Sequence, residues 1–193
     1  MRKVGLYFGT FNPFHIGHLV IANHLAEHTK LDEIWLVITP QSPFKKKNNL
    51  LENHHRLELV YRGTEDYSKL KPCDVEFKLP QPNYTSKTLA ELKDTHPDKN
   101  FALIMGEDNL VNFHKWKNYE TILEHHDIYV CPRLTKIDIP EQFQHHPGIH
   151  MTDTPVMEIS STLIRKMIKS GKNIEPLLQH KVWEYIDEMN FYR

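Results

Sequence analysis

Short apolar runs alternate along the chain with longer stretches in which apolar residues return every three or four positions. Val4 to Phe8 and Glu33 to Ile38 are nearly unbroken apolar runs and predict buried strands. Between them Leu19, Ala22, Leu25 and Ala26 keep helical spacing, which predicts a helix from about Gly17 to His28. A second helix is expected from about Glu52 to Glu65, with Leu57, Val60 and Tyr61 turned inward. Val75, Phe77 and Leu79 alternate with polar neighbours, so Cys73 to Leu79 predicts a half-buried strand, broken by Pro80 and Pro82. Thr85 or Ser86 can cap a helix that reaches Lys93 and buries Leu89 and Leu92.

In the second half, Phe101 to Met105 predicts a fourth strand and Gly106-Glu107-Asp108 turns the chain at its end. A short helical stretch and a loop with Trp116 follow, then a helix over Tyr119 to His125 and a fifth strand over Ile128 to Cys131. Residues 134–148 are polar and proline-containing, an irregular excursion, and Ile149 to Met151 suits a sixth strand. Ile159-Ser160-Ser161-Thr162 opens a helix with Leu163, Ile164, Met167 and Ile168 inward, ended by Ser170-Gly171. Pro176 stands near the start of a last helix carrying Leu178, Val182, Tyr185, Ile186 and Met189. Strands alternating with helices predict an α/β fold, a Rossmann-like open and mostly parallel sheet with helices on both faces. Residues 1–193 are expected to form a single domain, with 159–193 as its C-terminal helical part.

Composition narrows the function. A net charge of −1 argues against a broad nucleic-acid-binding surface, and Lys45-Lys46-Lys47 is the one dense basic run. Cys73 and Cys131 belong to no CxxC pair and read as buried thiols in a reducing compartment. The first strand begins at Val4, leaving no room for a signal peptide, and no apolar run reaches transmembrane length. A soluble cytoplasmic protein with no membrane partner is expected, with homo-oligomerisation left open. Six of the 14 histidines fall into adjacent pairs, His54-His55 among them. Neighbours on a helix diverge by about 100°, so no metal site is expected from them. His24 and His28 lie opposite the apolar stripe and predict a solvated face.

Two stretches carry chemistry. The first, Phe8-Gly9-Thr10-Phe11-Asn12-Pro13-Phe14-His15-Ile16-Gly17-His18, joins a strand to a helix. His15 and His18 stand three apart at the helix entrance, where backbone N–H groups are unpaired and the dipole carries roughly half a positive charge. That arrangement suits a polyphosphate, the other reading being a loop histidine beside a capping one. No lysine follows Gly17, so this is not a P-loop, and the GxGxxG dinucleotide fingerprint is absent. In the second stretch, Ser160, Ser161 and Thr162 put hydroxyls at a helix start and Arg165 adds a planar fork of donors one turn on.

Together the two resemble the GxFxPxHxGH and ISxTxIR signatures of the nicotinate mononucleotide adenylyltransferases of the bacterial NadD type, in the nucleotidyltransferase superfamily. The resemblance extends to Pro82-Asn83-Tyr84-Thr85 for a P-S-Y-T segment, Gly106-Glu107-Asp108 for a G-x-D turn, Trp116, and Arg133. It implies that His15, His18, Ser160, Thr162 and Arg165 hold the ATP phosphates. Gly9, Thr10 and Phe11 would line the nucleotide site, Gly106 and Asp108 the ribose side, and Tyr84, Thr85 and Trp116 the nicotinate end. Arg133 is counted with the substrate-binding residues. The chain departs from the pattern at Phe8 for a glycine, Asn12 for a frequent aspartate and Phe44 for a histidine, while Lys45 is kept.

The reaction implied is transfer of the adenylyl group of ATP to nicotinate mononucleotide, giving the deamido dinucleotide and pyrophosphate. His15, His18, Arg165, Lys45 and a phosphate-borne Mg²⁺ are expected to supply positive charge. Pantetheine-phosphate adenylyltransferases and cytidylyltransferases share the two phosphate motifs, and the Tyr84-Thr85 segment and Trp116 favour a flat pyridine acceptor over theirs. A nicotinamide mononucleotide acceptor and a non-catalytic ATP sensor are the remaining alternatives. A class I aminoacyl-tRNA synthetase would need a far longer chain and a KMSKS-type loop.

Overall fold

The computed structural model describes residues 1–40 and 50–193. Six strands form one sheet: β1 (Arg2–Gly9), β2 (Glu33–Ile38), β3 (Leu70–Cys73), β4 (Lys99–Gly106), β5 (Ile128–Cys131) and β6 (Ile149–Met151). Every pairing is parallel, and the order across the sheet is β3-β2-β1-β4-β5-β6. Among the described residues the helices are α1 (Ile16–His28), α2 (Asn53–Thr64), α3 (Thr85–Thr95), α4 (Glu107–Val111), α5 (Tyr119–His125), α6 (Glu141–Gln144), α7 (Ser161–Lys169) and α8 (His180–Glu188). None is long and apolar enough to cross a membrane.

Pleating divides each inner strand between two cores, as the period of two requires. Ile34, Leu36 and Ile38 of β2 pack with Ala102 and Ile104 of β4 beneath α1, α2, α7 and α8. Trp35 and Val37 pack with Phe101, Leu103 and Met105 on the other face, against α3 to α6. Burial on both faces is why these strands read as continuous apolar runs rather than as alternation. The chain winds outward from β1 to β3 on one side and from β4 to β6 on the other. The direction of winding reverses between β1 and β4, and a crevice opens there at their carboxyl ends.

Several expectations are corrected. The third strand is Leu70–Cys73, and Val75–Phe77 is a 3-10 turn rather than strand. The ladder with β2 ends at Val37 opposite Cys73, so later residues have no partner strand. Phe77 N–H instead closes on the Asp74 carbonyl at 2.8 Å. In α2 the buried stripe is Arg56, Leu59, Val60 and Gly63, which leaves Tyr61 51% exposed. In α7 Ile164 and Ile168 form the buried seam, and Leu163 faces solvent. Pro176 belongs to a separate 3-10 turn, Glu175–Leu177, ahead of α8, and Met189 caps the end of α8 and is exposed. Cys131 is buried and Cys73 half-buried. His24 is no solvated residue: its Nε2 lies 3.1 Å from Asp153 Oδ1, and its ring stacks on His28 at 4.4 Å.

Candidate active site

A cleft of about 630 Å³ occupies the crevice between β1 and β4. Its walls include Gly9, Thr10, Phe11, Asn12, His15 and His18 from the β1–α1 turn. Gly106 contributes from the end of β4, Trp116 and Arg133 from beyond β4 and β5, and Ser160, Ser161, Thr162 and Arg165 from the start of α7. Phe8, standing where the resemblance places a glycine, also lines it.

The histidine pair is held by the start of α1. His15 is the N-cap, in extended conformation, and its N–H donates to His18 Nδ1 at 3.3 Å. The rings stack with centroids 3.7 Å apart, and the Phe14 ring also stacks with His18 at 5.6 Å. Because Nδ1 of His18 accepts, a neutral His18 carries its proton on Nε2. A Cβ on Gly17 would stand 3.1 Å from His15 Nδ1, a tight contact, so the absence of a side chain at residue 17 lets the ring lie close against the helix. Burial pushes His15 down to about 4. Burial, and then the neighbouring His15, hold His18 well below the ordinary imidazole value. Both rings are therefore neutral at pH 7. The expectation that they bring positive charge is corrected: they offer hydrogen bonds, and among the described lining residues the cations are Arg133 and Arg165.

α7 is fastened to the same turn. Ser160 is its N-cap and accepts from Leu163 N–H at 3.2 Å. Ser161 Oγ donates to the Pro13 carbonyl at 2.9 Å. Arg165 donates through Nη1 to the Asn12 carbonyl at 2.7 Å and through Nη2 to Thr162 Oγ1 at 3.2 Å. The two stretches singled out in the sequence, some 150 residues apart, thus share one wall.

On the opposite side Arg133 Nε donates to Asp108 Oδ1 at 2.7 Å, and Arg133 N–H to Glu107 Oε2 at 2.9 Å. The guanidinium lies across Gly106, where a Cβ would come within 2.1 Å of Arg133 Nη2. Asp108 reaches the cleft only through this ion pair and is not on its wall. Tyr84 and Thr85 also lie off the wall, as the N-cap and first residue of α3. Lys117, next to Trp116, sits 4.8 Å from the centre of the Tyr84 ring and ties α3 to the Trp116 loop. Lys45 and Phe44 lie outside the described residues.

Arg56 was little marked in the sequence. It is fully buried on α2 without a carboxylate partner among the described residues. All five of its N–H groups are spent: on the carbonyls of Leu51, Thr10, Thr39 and Pro40 at 2.8–3.2 Å, and on Asn53 Oδ1 at 2.6 Å. Desolvation lowers it to about 10, so it stays charged at pH 7. It joins the β1–α1 turn to the end of β2 and to the entry of α2. Its only sequence signal was a charged residue on the buried stripe of α2. Away from the cleft, Glu52, His54 and His55 bring one donor atom each within 4.8 Å of one another, so the adjacent histidines do converge. His55 Nδ1 lies 2.9 Å from the Tyr185 hydroxyl.

Residues 6–167 match the cytidylyltransferase-like family. A probable nicotinate-nucleotide adenylyltransferase of Christiangramia forsetii is 62% identical over 192 residues, covering 100% of this chain and 99% of that protein. One of Bacteroides thetaiotaomicron is 40% identical, covering 96% of this chain and 91% of that protein. Among solved structures, nicotinic acid mononucleotide adenylyltransferase of Plasmodium falciparum complexed with NaAD is similar in fold. Its TM-score is 0.79 at 22% identity, over 100% of this chain and 98% of that one.

Proposed function

The chain belongs to the cytidylyltransferase-like family, and from that premise we propose that it transfers the adenylyl group of ATP to nicotinate mononucleotide, releasing pyrophosphate. One observation carries the chemistry: the β1–α1 turn and the start of α7 share a cleft and are joined through Arg165 and Asn12. That leaves imidazole, hydroxyl and guanidinium donors around a single concavity at a helix entrance, the donor set a polyphosphate needs.

The acceptor phosphate attacks the α-phosphorus of ATP in line. A phosphate monoester has its second pKa near 6, so it is largely dianionic at pH 7 and needs no general base. Catalysis is then positioning and electrostatic stabilisation. His18 donates through Nε2–H to phosphate oxygens, with His15 stacked behind it. Ser160, Thr162 and Arg165 hold the same phosphates from α7, and Lys45 adds a further charge. Gly9, Thr10 and Phe11 border the nucleotide, Gly106 its ribose with Asp108 acting there through Arg133, and Arg133 the substrate. Trp116 stacks on the pyridine ring, with Tyr84 and Thr85 at its carboxylate. No carboxylate lines the cleft among the described residues, which fits Mg²⁺ arriving on the ATP phosphates with its own waters rather than in a protein cage. When bound there, Mg²⁺ neutralises phosphate charge.

The test is pyrophosphate release from ATP or CTP against a panel of phosphate monoesters: nicotinate mononucleotide, nicotinamide mononucleotide and pantetheine phosphate. Release with ATP and nicotinate mononucleotide above all other pairs is expected. Pantetheine phosphate or CTP as the better substrate would move the chain to another branch of the family. ATP binding without release in any pair would leave a sensor.

A further inference from the structure

Asn12 is a junction. Its carbonyl accepts from Arg165, and its side-chain Oδ1 accepts both Leu51 N–H at 3.2 Å and the Tyr192 hydroxyl at 2.7 Å. It is 4% exposed yet lies on the wall of the cleft. Tyr192 comes from beyond α8, 180 residues away, and reaches this point by a specific path. Phe191 N–H returns to the Ile186 carbonyl at 3.0 Å, and the Phe191 ring packs on His55 and Tyr185 at 4.8 and 5.7 Å. Asn190 and Tyr192 both take left-handed conformations, with φ of 56° and 67°. For a tyrosine that conformation is unfavourable and persists only where surrounding contacts hold it. Tyr192 also packs against the core under α1 and α2. Burial pushes its ionisation far above the ordinary phenol range, so it remains an O–H donor at every working pH.

We propose that Tyr192 is a positioning residue for adenylyl transfer, a role that rests on the function proposed above. Its hydroxyl fixes the Asn12 side chain. Asn12 in turn fixes the turn that presents the first phosphate stretch, on the same residue that Arg165 grips from α7. An anchor of this kind matters to a reaction run by positioning, because a misplacement of about 1 Å can cost about a hundredfold in rate. It also makes the segment after α8 part of the site rather than a trailing end.

The experiment is steady-state adenylyl transfer by Tyr192→Phe, Asn12→Ala and the double variant, each with a melting curve. Tyr192→Phe keeps the ring and removes one hydrogen bond. It should lower kcat/KM for ATP about 5- to 20-fold, the scale of one buried hydrogen bond, with the melting temperature down by no more than about 2–4 °C. In the Asn12→Ala background the same change should have almost no further effect, because the acceptor is gone. Asn12→Asp keeps the acceptor, so it should retain activity and restore the sensitivity to Tyr192→Phe. Two results would overturn the proposal while the parent function stands: wild-type kinetics in Tyr192→Phe, or an equal loss with and without the Asn12 side chain. A wild-type chain that transfers no adenylyl group would overturn the function and this role with it.

Discussion

His15 gives its backbone N–H to His18 Nδ1 across 3.3 Å, and the two rings stack 3.7 Å apart. The pairing fixes which nitrogen of His18 faces outward with a proton. It also sets one imidazole face to face with the other. Two neutral rings prepared in this way can stabilise developing charge without being reorganised during the reaction.

His18→Ala removes the preorganised donor and leaves the N-cap backbone in place. Its kcat should fall by about 10²- to 10³-fold, the usual loss for one such donor. The dissociation constant for ATP should change far less. Wild-type kcat at saturation would show that the phosphates sit elsewhere.

The buried neutral state of His15 makes stability depend on pH in a defined window. Its folded value, about 4, lies below the ordinary 6.5. Between these values the unfolded chain binds a proton that the folded chain does not, so stability is full above about pH 6.5 and is lost as pH falls toward 4. The depression corresponds to roughly 3 kcal/mol at the acid end. Urea midpoints at pH 7.5, 6 and 5 should therefore decline more steeply for the wild type than for His15→Gln. Parallel declines would mean that His15 is not buried neutral.

Arg56→Lys replaces five fixed donors with one ammonium that cannot reach all the same carbonyls. Breaking a buried charge network of this kind costs about 3–5 kcal/mol. For a chain of this size that is a melting-temperature drop on the order of 10 °C. An unchanged melting curve would show that the guanidinium fork does not hold the three segments together.

Gly106→Ala separates stability from function. The added Cβ meets the ends of two flexible side chains, Arg133 Nη2 at 2.1 Å and Asp108 Oδ1 at 2.4 Å. Both can swing away, so the melting temperature should move by only a few degrees. The Arg133–Asp108 pair is displaced, and KM for ATP should rise by about tenfold, the scale of one charge-assisted contact. Unchanged KM would remove Gly106 and Asp108 from the nucleotide site.

The sequence showed most of the frame because local patterning decides it. β2 and β5 follow their apolar runs to the residue. The turn at His15–His18 and the cap at Ser160 depend on residues a few positions apart, so their local geometry was also legible. β3 was displaced because Val75 and Phe77 alternate with polar neighbours in a 3-10 turn rather than a strand, while Pro72 sits on an edge strand where its missing N–H is tolerated. The neutrality of His15 and His18 comes from burial, with Phe11 and Phe14 against the His18 ring, which spacing does not reveal. Arg56 and Tyr192 act through contacts made only once distant segments meet, so the sequence marked Arg56 only as a charge on a buried stripe and Tyr192 not at all.

The acceptor is the most direct test. Nicotinate and nicotinamide mononucleotides differ by a ring carboxylate against a neutral amide. Tyr84 and Thr85 form the entrance of α3, where N–H groups lack intrahelical partners and the dipole favours an anion by about 0.3–1 kcal/mol, or up to about 2 when partly buried. An amide would turn its own donors toward those donors and leave them unpaired, at about 1–3 kcal/mol. The measurement is kcat/KM for both mononucleotides at saturating ATP and Mg²⁺. The nicotinate form should be preferred by roughly 10- to 1000-fold. Equal or better use of the nicotinamide form would contradict the assignment of the acceptor.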